Sequence, residues 1–300
     1  STLRKTLFPY TTLFRSSGVD SAEATEVTQY LSNLKPDEYK AAIEELSAAG
    51  SYIHGTHVAG IAVAGNPYAR LANARIEFGH TLQPDPCPSL ELTLKDARNT
   101  QAYVDFFRRH RVRVVNMSFG GSVGGVEEQL EQCGIGANAD ERRKIAREWF
   151  DIGKDAFVRA MASAPEVLFV AAAGNENADS SFAESIPADI VLPNLITVGA
   201  VDKAGDEAPF TSYGKTVVVH ANGYLVDSVI PGGERLAESG TSMSAPQVTN
   251  LAAKILAVNP ALTPPQVIAI IRETAEKTDD GRRVLIHPRK AIAAAQAKQG

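Results

Sequence analysis

The sequence predicts an α/β sandwich built around a mostly parallel sheet. Short apolar runs rich in β-branched residues (Val112–Met117, Val167–Ala172, Leu195–Val201 and Thr216–Val219) alternate with longer stretches of helical composition. Several of these runs end in small residues, as in Ser118-Phe119-Gly120-Gly121 and Ala172-Ala173-Gly174-Asn175. In sheets of this kind the working residues gather beyond the carboxyl ends of the strands. Ser118, Asn175 and the loop after Val219 all occupy such ends.

The elements follow in order. Thr6–Ser16 reads TLFPYTTLFRS, which matches the translation of a common sequencing adapter. Residues 1–16 are therefore set aside as an assembly scar. Residues 17–300 are read as a single domain truncated at its N-terminus. Ala24–Leu31 and Pro36–Ala48 have helical composition, the second with Pro36 as a start and Gly50 as a stop. A small-residue helix, Val58–Ala64, is expected after His54. Ala74–Gly79 reads as a strand and Gln83–Ser89 as a Pro-rich loop holding Cys87. Leu94–Arg109 reads as an amphipathic helix whose basic end, Arg108–Arg113, suits a helix C-terminus. Glu127–Ala162 is helical and charged. Near the end, Val248, Leu251, Ala252, Ile255 and Leu256 mark one buried face of a helix over Ser242–Val258. Thr263 caps a further helix to about Ala275, with Pro264 in its first position. Asp279-Asp280-Gly281 reads as a turn, and Lys290–Lys298 as an Ala-rich surface helix.

Bulk properties narrow the function. A net charge of −5 leaves no basic footprint, so nucleic acid is not an expected partner. No apolar run approaches the roughly 18 residues that span a bilayer, and no membrane is expected. Two cysteines, Cys87 and Cys133, can pair, but their number decides nothing about compartment. His54 and His57 stand three apart without the intervening Glu and i, i+4 spacing of zinc peptidases, so no metal site is read there. The Asp279-Asp280-Gly281 turn lacks the spaced acidic ligands of a calcium loop.

Three stretches carry chemistry, in this order: His54-Gly55-Thr56-His57-Val58-Ala59-Gly60, then Ala172-Ala173-Gly174-Asn175, then Gly240-Thr241-Ser242-Met243-Ser244-Ala245-Pro246. Alone, Ser242 at a helix start is either an N-cap or a nucleophile beside unpaired N–H groups. Together the three resemble the subtilisin-like serine proteases, the subtilases, over nearly all of residues 17–280. The resemblance implies a subtilisin-like three-layer sandwich and a serine endopeptidase that cleaves protein or peptide substrates through an acyl-enzyme. It implies Ser242 as nucleophile, His54 as general base and then acid, and Asn175 as side-chain donor to the oxyanion. Ser118, Phe119 and Gly120 would form the edge that pairs with an extended substrate. Ala172, Ala173 and Gly174 would line a roomy apolar pocket for the side chain before the cleaved bond. No cofactor is implied; structural calcium is a family habit for which no ligand set stands out here. Family habit also implies export from the cell or to its envelope, and a propeptide.

The pattern departs from the family at one decisive place. The family's triad aspartate opens an Asp-Ser/Thr-Gly-Val motif, and the aligned residues here are Ser16-Ser17-Gly18-Val19. Asp20 follows the motif and is not its equivalent. Without that carboxylate nothing identified orients the imidazole, so the polypeptide as written is expected to be impaired. Gln247-Val248-Thr249 and Ala221-Asn222-Gly223 are smaller departures, expected to be tolerated. A second reading is an inactive subtilase fold serving as a binding module. An α/β-hydrolase esterase is disfavoured, because no Gly-x-Ser-x-Gly elbow is present and the histidine precedes the serine.

Overall fold

The computed structural model describes residues 29–76, 78–278 and 281–298. Its centre is a six-stranded sheet of β1 (Val114–Met117), β3 (Leu168–Ala172), β5 (Leu195–Val201), β6 (Val217–Asn222), β10 (Val284–Leu285) and β9 (Glu276–Lys277), in that spatial order. Every pairing is parallel except that of β10 with β9. Away from this sheet, β2 (Gly121–Ser122) pairs antiparallel with β4 (Ser185–Ile186), and β7 (Val226–Val229) with β8 (Arg235–Glu238).

Helices cover both faces, as a parallel sheet requires. They are α1 (Pro36–Val63), α2 (Leu90–Arg109), α3 (Val123–Gln132), α4 (Ala139–Ala162), the short α5 (Ser180–Ala183), α6 (Thr241–Val258), α7 (Pro264–Thr274) and α8 (Pro288–Ala297). Strand β3 shows how one sequence feeds two layers, since successive side chains point to opposite faces. Leu168 and Val170 pack with Val248, Leu251 and Ile255 of α6 and with Ile270 of α7. Phe169 and Ala171 pack instead with Val104 of α2 and with Ala160 and Met161 of α4. All five β3 residues and all seven of β5 are buried, which explains why these strands read as continuous apolar runs rather than alternating ones. The α/β sandwich with a mostly parallel sheet is thus the fold observed.

Several boundaries differ from the sequence reading. Gly50 does not stop a helix: α1 runs unbroken from Pro36 to Val63 and takes in His54. Glycine costs about 1 kcal/mol in a helix interior, and burying Val58, Ile61 and Ala62 on the same helix outweighs it. Gly60 is required there for another reason. A Cβ at this position would come 2.5 Å from Ser228 Oγ and 2.7 Å from a Val229 methyl, so only glycine lets α1 lie this close to β7.

The expected strand at Ala74–Gly79 does not form; the described residues between 64 and 89 are irregular. Strand propensity depends on a paired, half-buried surface, and here Ile76 and Phe78 remain largely exposed. The segment is held instead by Tyr103, whose hydroxyl donates to the Arg75 carbonyl at 2.9 Å. The helical stretch Glu127–Ala162 is two helices, α3 and α4, parted where Gly134 and Gly136 turn with positive φ. Cys87 and Cys133 form a disulfide that fastens the Pro-rich loop to the end of α3. The Ala-rich final helix is not wholly superficial, because Ala291 and Ala295 are buried against the α6 layer. Residues 1–28, including Ser16 and most of the expected Ala24–Leu31 helix, lie outside the described residues, as do Asp279 and Asp280.

Candidate active site

Ser242 is not the cap of its helix. Gly240 is the N-cap and Thr241 the first residue of α6, so Ser242 sits second, within the turn whose N–H groups lack helical acceptors. The loop that delivers it is clamped against the end of β6. Gly240 N–H donates to the Gly223 carbonyl at 2.7 Å, and Ser244 Oγ to the Ala221 carbonyl at 3.0 Å. A Cβ on Gly223 would fall 2.4 Å from Ser244 Oγ and 2.8 Å from the Gly240 carbonyl, so β6 and the loop touch backbone to backbone. Gln247 adds two bonds from its Nε2, to the carbonyls of Asn222 and Met243. Asn222 and Gln247, which belong to the two smaller departures from the family pattern, therefore bond to each other across this clamp.

Asn175 is oriented by Thr241. Its Oδ1 accepts from the Thr241 backbone N–H at 2.8 Å and from the Thr241 hydroxyl at 3.0 Å. A backbone N–H only donates, so these bonds fix the amide with Oδ1 toward Thr241 and leave Nδ2 as its donor end. The Thr241 hydroxyl also accepts from Gly174 N–H at 3.2 Å, locking the Ala173-Gly174-Asn175 turn to the helix start. Thr241 stands in the Gly240–Pro246 motif beside Ser242, but sequence reasoning gave it no role.

Ser118 meets Ser242 directly. Its hydroxyl donates to the Ser242 carbonyl at 2.8 Å, and Ser242 Oγ donates back to the Ser118 carbonyl at 3.3 Å. Behind them Asn116 Nδ2 donates to Ser118 Oγ at 2.9 Å, and Thr249 Oγ1 to Asn116 Oδ1 at 3.0 Å. Phe119 turns the other way, its ring 6.3 Å from those of Phe78 and Phe157. Ala172 and Ala173 are buried. Beside Gly174 stands Glu176, whose carboxylate accepts from Ser212 Oγ at 3.2 Å; the sequence reading of an apolar pocket did not include it.

His54 reaches this end of the molecule on α1. Val58 and Ile61 pack on Met243, while further along Asn250 Nδ2 donates to the carbonyls of Ala62 and Ala64 and Lys254 Nζ to that of Ala64. The contacts advance along both helices in the same sense. Stepping back one turn from Val58, about 6 Å along the axis, brings His54 to the end where α6 begins. Burial, and the neighbouring His57, hold the His54 pKa below its ordinary value, which keeps the imidazole neutral. Among the described residues no hydrogen bond joins His54 to Ser242. His57 is turned inward, fully buried, with Nε2 2.9 Å from the Leu236 carbonyl. No cluster of three or more potential metal ligands occurs among the described residues.

Comparison with known proteins places the chain in one family. The family model Peptidase_S8, the subtilase family, matches residues 21–289. The M-protease of Shouchella clausii is 30% identical over 223 residues, covering 74% of this chain and 49% of that protein. A subtilisin of Bacillus pumilus is 38% identical over 109 residues, covering 36% of this chain and 39% of the relative. The chain thus spans half or less of the length of these relatives. Among solved structures, a cold-adapted subtilisin-like serine proteinase is 25% identical, with a TM-score of 0.50, covering 79% of this chain and 75% of that one. A lanthipeptide protease shares the fold at 17% identity and a TM-score of 0.56, covering 80% and 75%.

Proposed function

Given that the chain belongs to the subtilase family, we propose that it is a serine endopeptidase acting on extended protein or peptide substrates. Ser242 Oγ attacks the carbonyl of the bond to be cleaved, a step that needs a base because the hydroxyl is a weak nucleophile. His54, held neutral by burial, takes that proton and returns it to the leaving amine. The tetrahedral oxyanion is met by Asn175 Nδ2 and by the Ser242 N–H at the positive end of α6. The observation that supports this reading is the Asn175–Thr241 pair, which ties Oδ1 to the residue before Ser242 and so leaves Nδ2 as the end of the amide that can donate.

Substrate would lie along Ser118-Phe119-Gly120 as an added strand, with its side chain entering beside Ala172, Ala173, Gly174 and Glu176. The Ser118 carbonyl, which now accepts from Ser242, would exchange that partner when substrate binds. The disulfide supports export to an oxidising environment. With Ser16 at the aligned aspartate position, turnover is expected to be low. Subtilisin, a relative, provides the benchmark for losing that aspartate alone, about 3 × 10⁴ in turnover. The residue that naturally occupies position 16 is the feature that separates this reading from the binding-module one. An active-site fluorophosphonate separates the two readings: it is expected to label the wild-type chain and not Ser242→Ala. Labelling that survives the substitution removes Ser242 as nucleophile.

A further inference from the structure

Outside the residues assigned above, one pair of titratable groups is buried face to face among the described residues. His57 Nδ1 lies 3.7 Å from Glu238 Oε2, with the imidazole fully buried and the carboxylate nearly so. His57 Nε2 is 2.9 Å from the Leu236 carbonyl and must carry the hydrogen, since a carbonyl only accepts. In neutral His57, Nδ1 is then a bare lone pair, and it has no hydrogen-bond partner among the described residues. A carboxylate opposite a lone pair is two acceptors in a dry space, which is costly. One proton in the gap removes the conflict, carried either by Glu238 as a neutral acid or by His57 as an imidazolium.

The position of the pair gives it a role. His57 lies one turn beyond His54 on α1, and Glu238 ends β8, four residues before Ser242. We propose that His57 and Glu238 share a single buried proton and act as a positioning pair that ties the His54 helix to the strand leading into Ser242. This rests on the protease reading for its catalytic meaning, but not for its existence. The same junction is braced by Ser228, whose hydroxyl donates to the His57 carbonyl at 2.8 Å. The surrounding charges do not replace the proton. Asp227 and Arg235 on the hairpin bond each other at 2.6 Å near the surface, burial holds the His54 pKa on the same helix below its ordinary value, and Lys254 of α6 bonds the Ala64 carbonyl beyond the far end of α1. The Val226 carbonyl beside the ring is another acceptor. Burial pushes the Glu238 carboxyl up to about 7 and the His57 imidazole down, the directions a one-proton pair requires.

Glu238→Gln supplies a permanent N–H opposite Nδ1 without a titrating group. The sign of the effect follows from linkage. A carboxyl raised in the folded state contributes stability that is present below its unfolded value near 4.5, and that is lost as pH rises through about 7. The midpoint of thermal unfolding, measured from pH 5 to pH 9, should therefore be similar for wild type and Glu238→Gln at pH 5. By pH 8 it should be several degrees higher in the variant. Parallel curves across that range would overturn the shared proton. The positioning role is read from the rate of fluorophosphonate labelling of Ser242. That rate should lose several-fold in wild type relative to Glu238→Gln between pH 6 and pH 8.5, and an unchanged ratio would overturn the tether. If neither protein labels, the protease reading fails, while the thermal curves still decide the pair.

Discussion

The Ser118 hydroxyl donates to the Ser242 carbonyl because Pro246, four residues further along α6, has no N–H to offer it. In a helix the carbonyl of residue 242 belongs to the N–H of residue 246, and proline removes that donor. Without Ser118 this half-buried carbonyl would lose the partner that replaces the missing N–H. Ser118→Ala is expected to destabilise the fold by about 1–3 kcal/mol in urea unfolding. In a Pro246→Ala background the helix regains its own donor, so the same substitution should cost less, with a coupling of roughly 1 kcal/mol. Equal costs in both backgrounds would show that Pro246 is not what opens the carbonyl.

Asn175 and Thr241 should separate donation from orientation. Asn175→Leu removes the amide donor and is expected to lower kcat by about 10²–10³, the figure known from the equivalent loss in subtilisin, a relative. Thr241→Val keeps the backbone N–H that holds Oδ1 but loses the hydroxyl bond, so a smaller fall is expected, within about tenfold of wild type. Steady-state kinetics on a peptide substrate checks both. A larger fall in Thr241→Val than in Asn175→Leu would reverse the assigned roles.

His54 gives the acid side of the pH profile. Its pKa is lowered by burial and by His57, and a general base works only when unprotonated. The rise of kcat/KM with pH should therefore have its midpoint below the ordinary histidine value near 6.5. Stability carries the same sign: the unfolded chain binds the proton more readily, so this residue's contribution is lost as pH falls from 6.5 through the lower folded value. A midpoint above 6.5 would mean that a negative charge, not burial, governs the imidazole.

The disulfide should be visible in unfolding. It closes a loop between residues 46 apart in sequence, for which chain entropy gives about 4 kcal/mol as an upper figure and typical measurements about 2–4 kcal/mol. Urea unfolding with and without a thiol reductant should differ by that amount. No difference would show that the Pro-rich loop is held without it.

Much of this structure was legible in the sequence where local chemistry decides the outcome. Leu168–Ala172 and Leu195–Val201 were readable because a strand buried on both faces is apolar throughout. Thr263 with Pro264 marked a helix start because a cap and its proline act within one turn; the Thr263–Gln266 capping box confirms it. Gly50 misled because its helix is held by burial of Val58 and Ile61, which lie beyond it in the chain. The site followed the same division. His54, Asn175 and Ser242 stand in dense local motifs. Ser118 on Ser242 and Glu238 on His57 are contacts across 124 and more residues of chain, and no spacing announces them. The proline at 246 was the one available hint, since it forecasts a carbonyl in need of a donor.

The strand order also sets how the chain must assemble. Val114 pairs with Leu168, and Leu285 returns to His220, with helices intervening each time. Such pairings reward the chain only after long loops have closed, and proteins dominated by them fold slowly. Until α6 is seated, Leu168–Ala172 and Leu195–Val201 are bare apolar strands with open edges, the kind of surface on which nascent chains adhere to one another. The layer that presents Ser242 is thus also the cover that ends this exposure. Substitutions on the buried face of α6, such as at Leu251 or Ile255, should show first as lost yield of soluble protein and only afterwards as lost activity.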